Sequence, residues 1–182
     1  MRGFTWRRDQ RHRPGLEYLV STRRQHGFES LEEDRLLLVL DFCGEVVEVL
    51  SQPLEMRFQT ADRWRKHTPD FLAVTAAGTW LIDVRPERLI KAEDLESFAA
   101  AQEVALSCGW RYTVAARWRP HVMTTLDAMA ARRRPTRDLL RLQPTLLARA
   151  EQGGGFSELA AGPYWPVARA QLLHLLWPAA SE

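Results

Sequence analysis

Between residues 28 and 133 the spacing of apolar residues switches repeatedly between a helical and a strand period. That alternation restricts the chain to an α/β fold. In residues 28–42, Leu36, Leu37 and Leu40 recur at helical spacing, with Glu33 on the same face. Ser30 stands as the N-cap, and Glu33 occupies the capping-box position. The period then shortens. Val46, Val47 and Val49, followed by Leu54, Met56 and Phe58, predict strands separated by Gln52-Pro53. Residues 69–75 and 79–84 predict two arms of a hairpin that turns at Ala77-Gly78. Residues 92–107 predict a helix closed by Gly109, 110–116 a strand and 120–133 a further helix.

Past Pro135 the pattern is helical throughout. Residues 138–150, 156–161 and 166–177 predict three short helices, broken by Gly153-Gly154-Gly155 and Gly162-Pro163. Two readings fit them: a helix-turn-helix or truncated winged-helix unit, or a helical appendage packed on the core or a partner. At the other end, residues 1–25 read as a basic arm. The seven Trp predict a strongly aromatic core, with Trp80 and Trp110 inside it.

Charge is uneven along the chain. Residues 1–26 hold seven Arg against Asp9 and Glu17, a net of +5. Residues 27–62 hold nine carboxylates against Arg35 and Arg57, a net of −7. Basic charge returns at Arg132, Arg133, Arg134, Arg137 and Arg141. Basic flanks around an acidic centre suit a protein that grips phosphates and holds a cation. An Arg-biased composition gives the same pattern without function, and only two of the 25 basic residues are Lys. Cys43 and Cys108 are far apart and have no metal-type spacing, which points to free thiols and a cytoplasmic setting. No apolar run is long enough to span a bilayer. No Gly-rich phosphate loop argues for ATP use.

The chemistry concentrates at Pro69-Asp70 and Asp83-Val84-Arg85. Cutting a phosphodiester needs a hard cation to activate water and offset charge on the phosphate. Mg²⁺ takes oxygen ligands, commonly one or two carboxylates completed by water and substrate. A hairpin brings Asp70 and Asp83 together, and the Val84 carbonyl is a candidate third ligand. Alternation along the strand places Arg85 on the Asp83 face. There a guanidinium can hold the scissile phosphate. Glu33, on the apolar face of the first predicted helix, is either a further ligand or only that helix's capping group. Arg63, Trp64, Arg65 and Lys66 read as a DNA-contacting loop with an aromatic for stacking. His67, three residues before Asp70, is another candidate DNA contact.

In order and spacing, ESLEEDRLLLVLDF, VVEVLSQPLEM, HTPDFLAV and GTWLIDVRP resemble the TnsA-like endonuclease subunits of heteromeric transposases. The resemblance covers roughly residues 26–133. It implies a restriction-endonuclease-like α/β core of the PD-(D/E)xK class, with a mixed central sheet flanked by helices, over residues 26–134. A small helical, helix-turn-helix-like region follows at 135–182. By position it assigns Glu33, with Glu32 as the adjacent alternative, Asp70 and Asp83 to the metal, and Gln52, the glutamine of the family's Gln-Pro, to the DNA-binding residues. It implies Mg²⁺ (or Mn²⁺), DNA at transposon ends, a DDE-type transposase and an AAA+ regulator as partners. The implied activity is nicking at 5′ ends. Arg85 stands where the family has Lys, and arginine, with a pKa above about 12, is no base. A standalone restriction or repair nuclease, or a catalytically impaired DNA-binding or assembly subunit, are the alternatives.

Overall fold

The computed structural model describes residues 14–134 and 137–177. These divide into two compact units, one running to Trp118 and the other starting at Arg119.

The first unit is built on a four-stranded mixed sheet ordered β3-β6-β7-β8. Its strands are β3 (Val46–Ser51), β6 (Phe71–Thr75), β7 (Gly78–Val84) and β8 (Arg111–Ala115). The first two pairings are antiparallel. β7 and β8 run parallel, as the intervening helix α2 (Ala92–Ser107) requires. Strand alternation divides the core between the two faces. Val49, Phe71, Ala73 and Ile82 pack with Leu36 and Leu37 of α1 (Leu31–Cys43) on one face. Leu72 and Leu81 pack with Ala101 and Ala105 of α2 on the other. Small residues on α2 let it lie close to the sheet.

Local chemistry explains the ends of α1. Ser30 Oγ accepts from Glu33 N–H and donates to Glu33 Oε1 at 2.8 Å. Glu33 Oε2 accepts from Glu29 N–H at 2.8 Å. Gly44 closes the helix at φ 69°, a conformation a Cβ would strain.

Three strands, spread over two hairpins, lacked a signal in the sequence. The arm expected over residues 1–25 lies partly outside the described residues. From Gly15 onward it is an ordered hairpin of β1 (Gly15–Leu19) and β2 (Arg24–Phe28). Its turn is tied to α1 by Ser21 N–H donating to Asp41 Oδ1 at 2.8 Å, and Leu19 is fully buried in the α1 core. The second hairpin pairs β4 (Met56–Gln59) with β5 (Trp64–His67). The loop expected around Trp64 is therefore a strand.

The core is more aliphatic than the Trp count predicts. Phe71 is the largest fully buried side chain, and Trp80 and Trp110 pack at the core margins. Trp64 and Trp165 are 69% and 59% exposed, so those two rings contribute little to burial.

The second unit contains α3 (Pro120–Ala130), α4 (Leu142–Glu151), α5 (Phe156–Ala160) and α6 (Trp165–Leu175). Leu146, Ala160, Ala168 and Leu172 form its core. Asp138 caps α4 by accepting from Leu142 and Gln143 N–H, each at 2.8 Å. The sequence places a boundary at Pro135, whereas α3 belongs with the later helices. His174 Nδ1 bonds the Arg132 carbonyl at 2.9 Å, linking α6 to the end of α3. Among the described residues no helix is long and apolar enough to cross a membrane.

Candidate functional site

The first turn of α1, the start of β6 and the end of β7 bring the predicted acidic residues towards one another. Asp70 sits just before β6, and its Oδ2 accepts from Val84 N–H at 2.7 Å. The β7 end thus meets this carboxyl through the Val84 amide. Burial pushes the Asp70 pKa up to about 8, and the nearby charges of Glu33 and Asp83 add to the rise. Three carboxyl groups from α1, β6 and β7 therefore share one electrostatic neighbourhood. Glu33 is raised as well, mainly by burial, against the hydrogen bonds it accepts from Glu29 N–H and Ser30 Oγ–H. So Glu33 both caps α1 and acts on Asp70. Glu32 pairs with Arg35 at 2.8 Å, an (i, i+3) contact along its own helix.

Asp83 is 2% exposed and fully engaged. It lies with Leu81 on the α2 face. His67 Nε2 is 2.9 Å from its Oδ1, and Tyr112 Oη donates to its Oδ2 at 2.7 Å. Burial and the Asp83 charge raise the Tyr112 pKa, so its hydroxyl stays a donor. The His67 ring meets Phe98 of α2 edge-on, with centroids 6.5 Å apart. Tyr112 escaped the sequence reading. Its role depends on the parallel register of β7 and β8, which sets Leu81 beside Tyr112. No local motif announces that register.

Arg85 follows Asp83 on the same side of the sheet and points to the start of α2. Its Nε lies 3.4 Å from Asp94 Oδ2, without the geometry of a hydrogen bond. The remaining candidates diverge. Arg65 pairs with Glu96 and lies over the Phe58 ring. Lys66 Nζ is 2.9 Å from Glu55 Oε1, while Arg63 is exposed. Gln52 N–H donates to the Asp70 carbonyl at 2.7 Å, so the Gln-Pro turn borders the site.

Hard oxygen donors of this kind match a divalent cation in type. Among the described residues, however, no three or more His, Cys, Asp or Glu form a ready metal cage. Asp83 already accepts from two neighbours. Asp70 is the carboxyl whose charge most needs a counter-ion.

A mixed sheet between two helices, with acidic groups gathered at its strand ends, is consistent with a nuclease-like α/β domain. Residues 43–116 match the family described as TnsA-like endonuclease N terminal. The match holds Gln52, Asp70, Asp83 and Arg85, and it begins after Glu33. The chain is also 32% identical over 118 residues to a protein named glucans biosynthesis protein G from Ralstonia nicotianae (strain ATCC BAA-1114 / GMI1000). That alignment covers 59% of this chain and 23% of the other protein. The chain thus spans less than a quarter of that curated relative.

Proposed function

We propose that the chain is a metal-dependent endonuclease subunit of a heteromeric transposase that nicks DNA at the 5′ ends of a transposon. The observation that carries this reading is the placement of Asp70. It lies within the TnsA-like segment, half-buried beside two further carboxyl groups, with its pKa raised to about 8. A carboxyl in that state gains most from a bound cation, which would restore its charge. Asp70, with Glu33, Asp83 and the Val84 carbonyl, would hold Mg²⁺ or Mn²⁺. When bound, the ion supplies Lewis-acid activation of water and stabilises charge on the phosphate.

The protein groups then have separate tasks. His67 and Tyr112 hold the Asp83 carboxylate in one orientation. Arg85 supplies fixed positive charge to the phosphate, an electrostatic role that needs no proton transfer. Its contact with Asp94 is long, so a phosphate can compete for the guanidinium. Arg63, Arg65, Lys66 and His67 are the flanking DNA contacts, once Arg65 and Lys66 exchange their surface carboxylates for phosphates. A DDE-type transposase makes the 3′ cuts and joins, an AAA+ regulator completes the assembly, and the helical unit takes the place of the partner-contacting domain.

The test is strand-specific cutting by the reconstituted pair of this chain and its transposase. Asp70→Ala is expected to abolish 5′ nicking and to leave 3′ cutting in place. Unchanged 5′ nicking in that variant would sink the site assignment. A second reading, a non-cutting assembly subunit, is favoured by Arg85 in the lysine position. It predicts that Mg²⁺ has no effect on the chain's stability or DNA affinity.

A further inference from the structure

Gln52 occupies a backbone conformation that suits glycine better. Its φ is 48°, in the left-handed region where a Cβ crowds the following carbonyl. Position in the fold enforces this. β3 ends where Ser51 pairs with Phe71, and the Gln52 N–H must still reach the Asp70 carbonyl at 2.7 Å. Pro53 then directs the chain away towards β4. Glycine would make the same turn and the same backbone hydrogen bond without strain. What glycine lacks is the carboxamide.

That carboxamide makes no hydrogen bond with another described residue. It lines a groove of about 630 Å³ between β2, β3 and the start of α1, together with Glu29, Glu33 and Glu48. In so acidic a groove a Lys or Arg is captured by carboxylates, as Glu48 already holds Arg24. A neutral amide is not. It keeps two N–H donors available for an anionic ligand, beside an acid that accepts none of them.

We propose that Gln52 is a substrate-contacting residue whose amide N–H donates to a non-bridging phosphate oxygen of the DNA strand lying along this groove, adjacent to the scissile phosphate at the Asp70 site. The inference rests on the nuclease reading above. It deepens that reading by giving the bound strand a path between the β1–β2 hairpin and β3. It also accounts for a strained side chain where a strain-free residue would serve the fold.

The experiment compares the full chain with Gln52→Gly and Asp70→Ala, by thermal melting and by anisotropy of a labelled transposon-end duplex at fixed low salt. Gln52→Gly is expected to melt within about 2 °C of the parent or above it. It is expected to bind the duplex about tenfold more weakly, the loss of one hydrogen bond to a charged group. Gln52→Asn tolerates the same backbone and keeps a shorter amide, so its affinity should fall between the two. Equal affinity of Gln52→Gly and parent overturns the proposal. So does a loss of affinity that comes with a lowered melting temperature, or a parent chain with no duplex affinity. Nicking by the reconstituted pair separates the two ideas. If Gln52→Gly weakens binding but the parent pair makes no 5′ nick, the Gln52 contact stands and the cutting reading falls.

Discussion

Replacing Asp70 by Asn should stabilise the nuclease-like unit, and the gain should depend on pH. In the folded chain the Asp70 carboxyl titrates at about 8, against 3.8 for an unperturbed Asp. Below pH 4 both folded and unfolded chains hold the proton, and Asp70 costs nothing. Between those values the unfolded chain releases its proton and the folded chain keeps it. Stability therefore falls as pH rises, and the fall levels off above about 8. At roughly 1.4 kcal/mol per pH unit, the upper bound is about 6 kcal/mol. Asp70 is only partly enclosed, and screening by water reduces the cost to about 2–3 kcal/mol. Asn has the shape of the neutral acid and still accepts from Val84 N–H. Thermal melts of both proteins from pH 4 to 9 check this. The curves should coincide near pH 4 and separate by about 5–10 °C at pH 8. Adding Mg²⁺ at pH 8 should raise the parent and leave Asp70→Asn unmoved. Parallel curves across the pH range would refute the buried-carboxyl argument. An equal Mg²⁺ response in both would refute Asp70 as a ligand.

Tyr112→Phe removes a donor from a buried carboxylate and should cost about 1–3 kcal/mol. Urea titration checks it, and an unchanged midpoint would mean that water replaces the hydroxyl. Ser30→Ala removes the α1 cap and should cost about 1 kcal/mol, or roughly 2–4 °C in a melt, while leaving the fold intact.

Much of this architecture could be read from local pattern. Helices α1 and α2 and strands β3, β4, β6, β7 and β8 all appear close to where periodicity puts them, because each has a buried face with a regular repeat. Three strands, β1, β2 and β5, had no such repeat. β1 and β2 read GLEYL and RQHGF, with buried Leu19 and His26 as isolated anchors. β5 reads WRKH, and its Arg65, Lys66 and His67 look like a solvated basic loop. Partners elsewhere in the chain make it a strand: Glu96 for Arg65, Glu55 for Lys66 and Asp83 for His67.

The acidic site divides in the same way. Pro69-Asp70, Asp83-Val84-Arg85 and Gln52-Pro53 are visible as letters, since a short hairpin obliges its two arms to meet. Sequence order alone determined that Asp70 and Asp83 would be neighbours, and that Arg85 would follow Asp83 onto one face. Only the tertiary structure decided what each carboxyl touches. Sheet register set Tyr112 and His67 on Asp83, the Val84 amide on Asp70 and the strained Gln52 beneath its carbonyl. The packing of α1 brought the Glu33 charge within reach of Asp70. Those are long-range facts, set by strand pairing and burial. They make Asp70 a raised, near-neutral acid in a chain whose sequence shows only an ordinary aspartate.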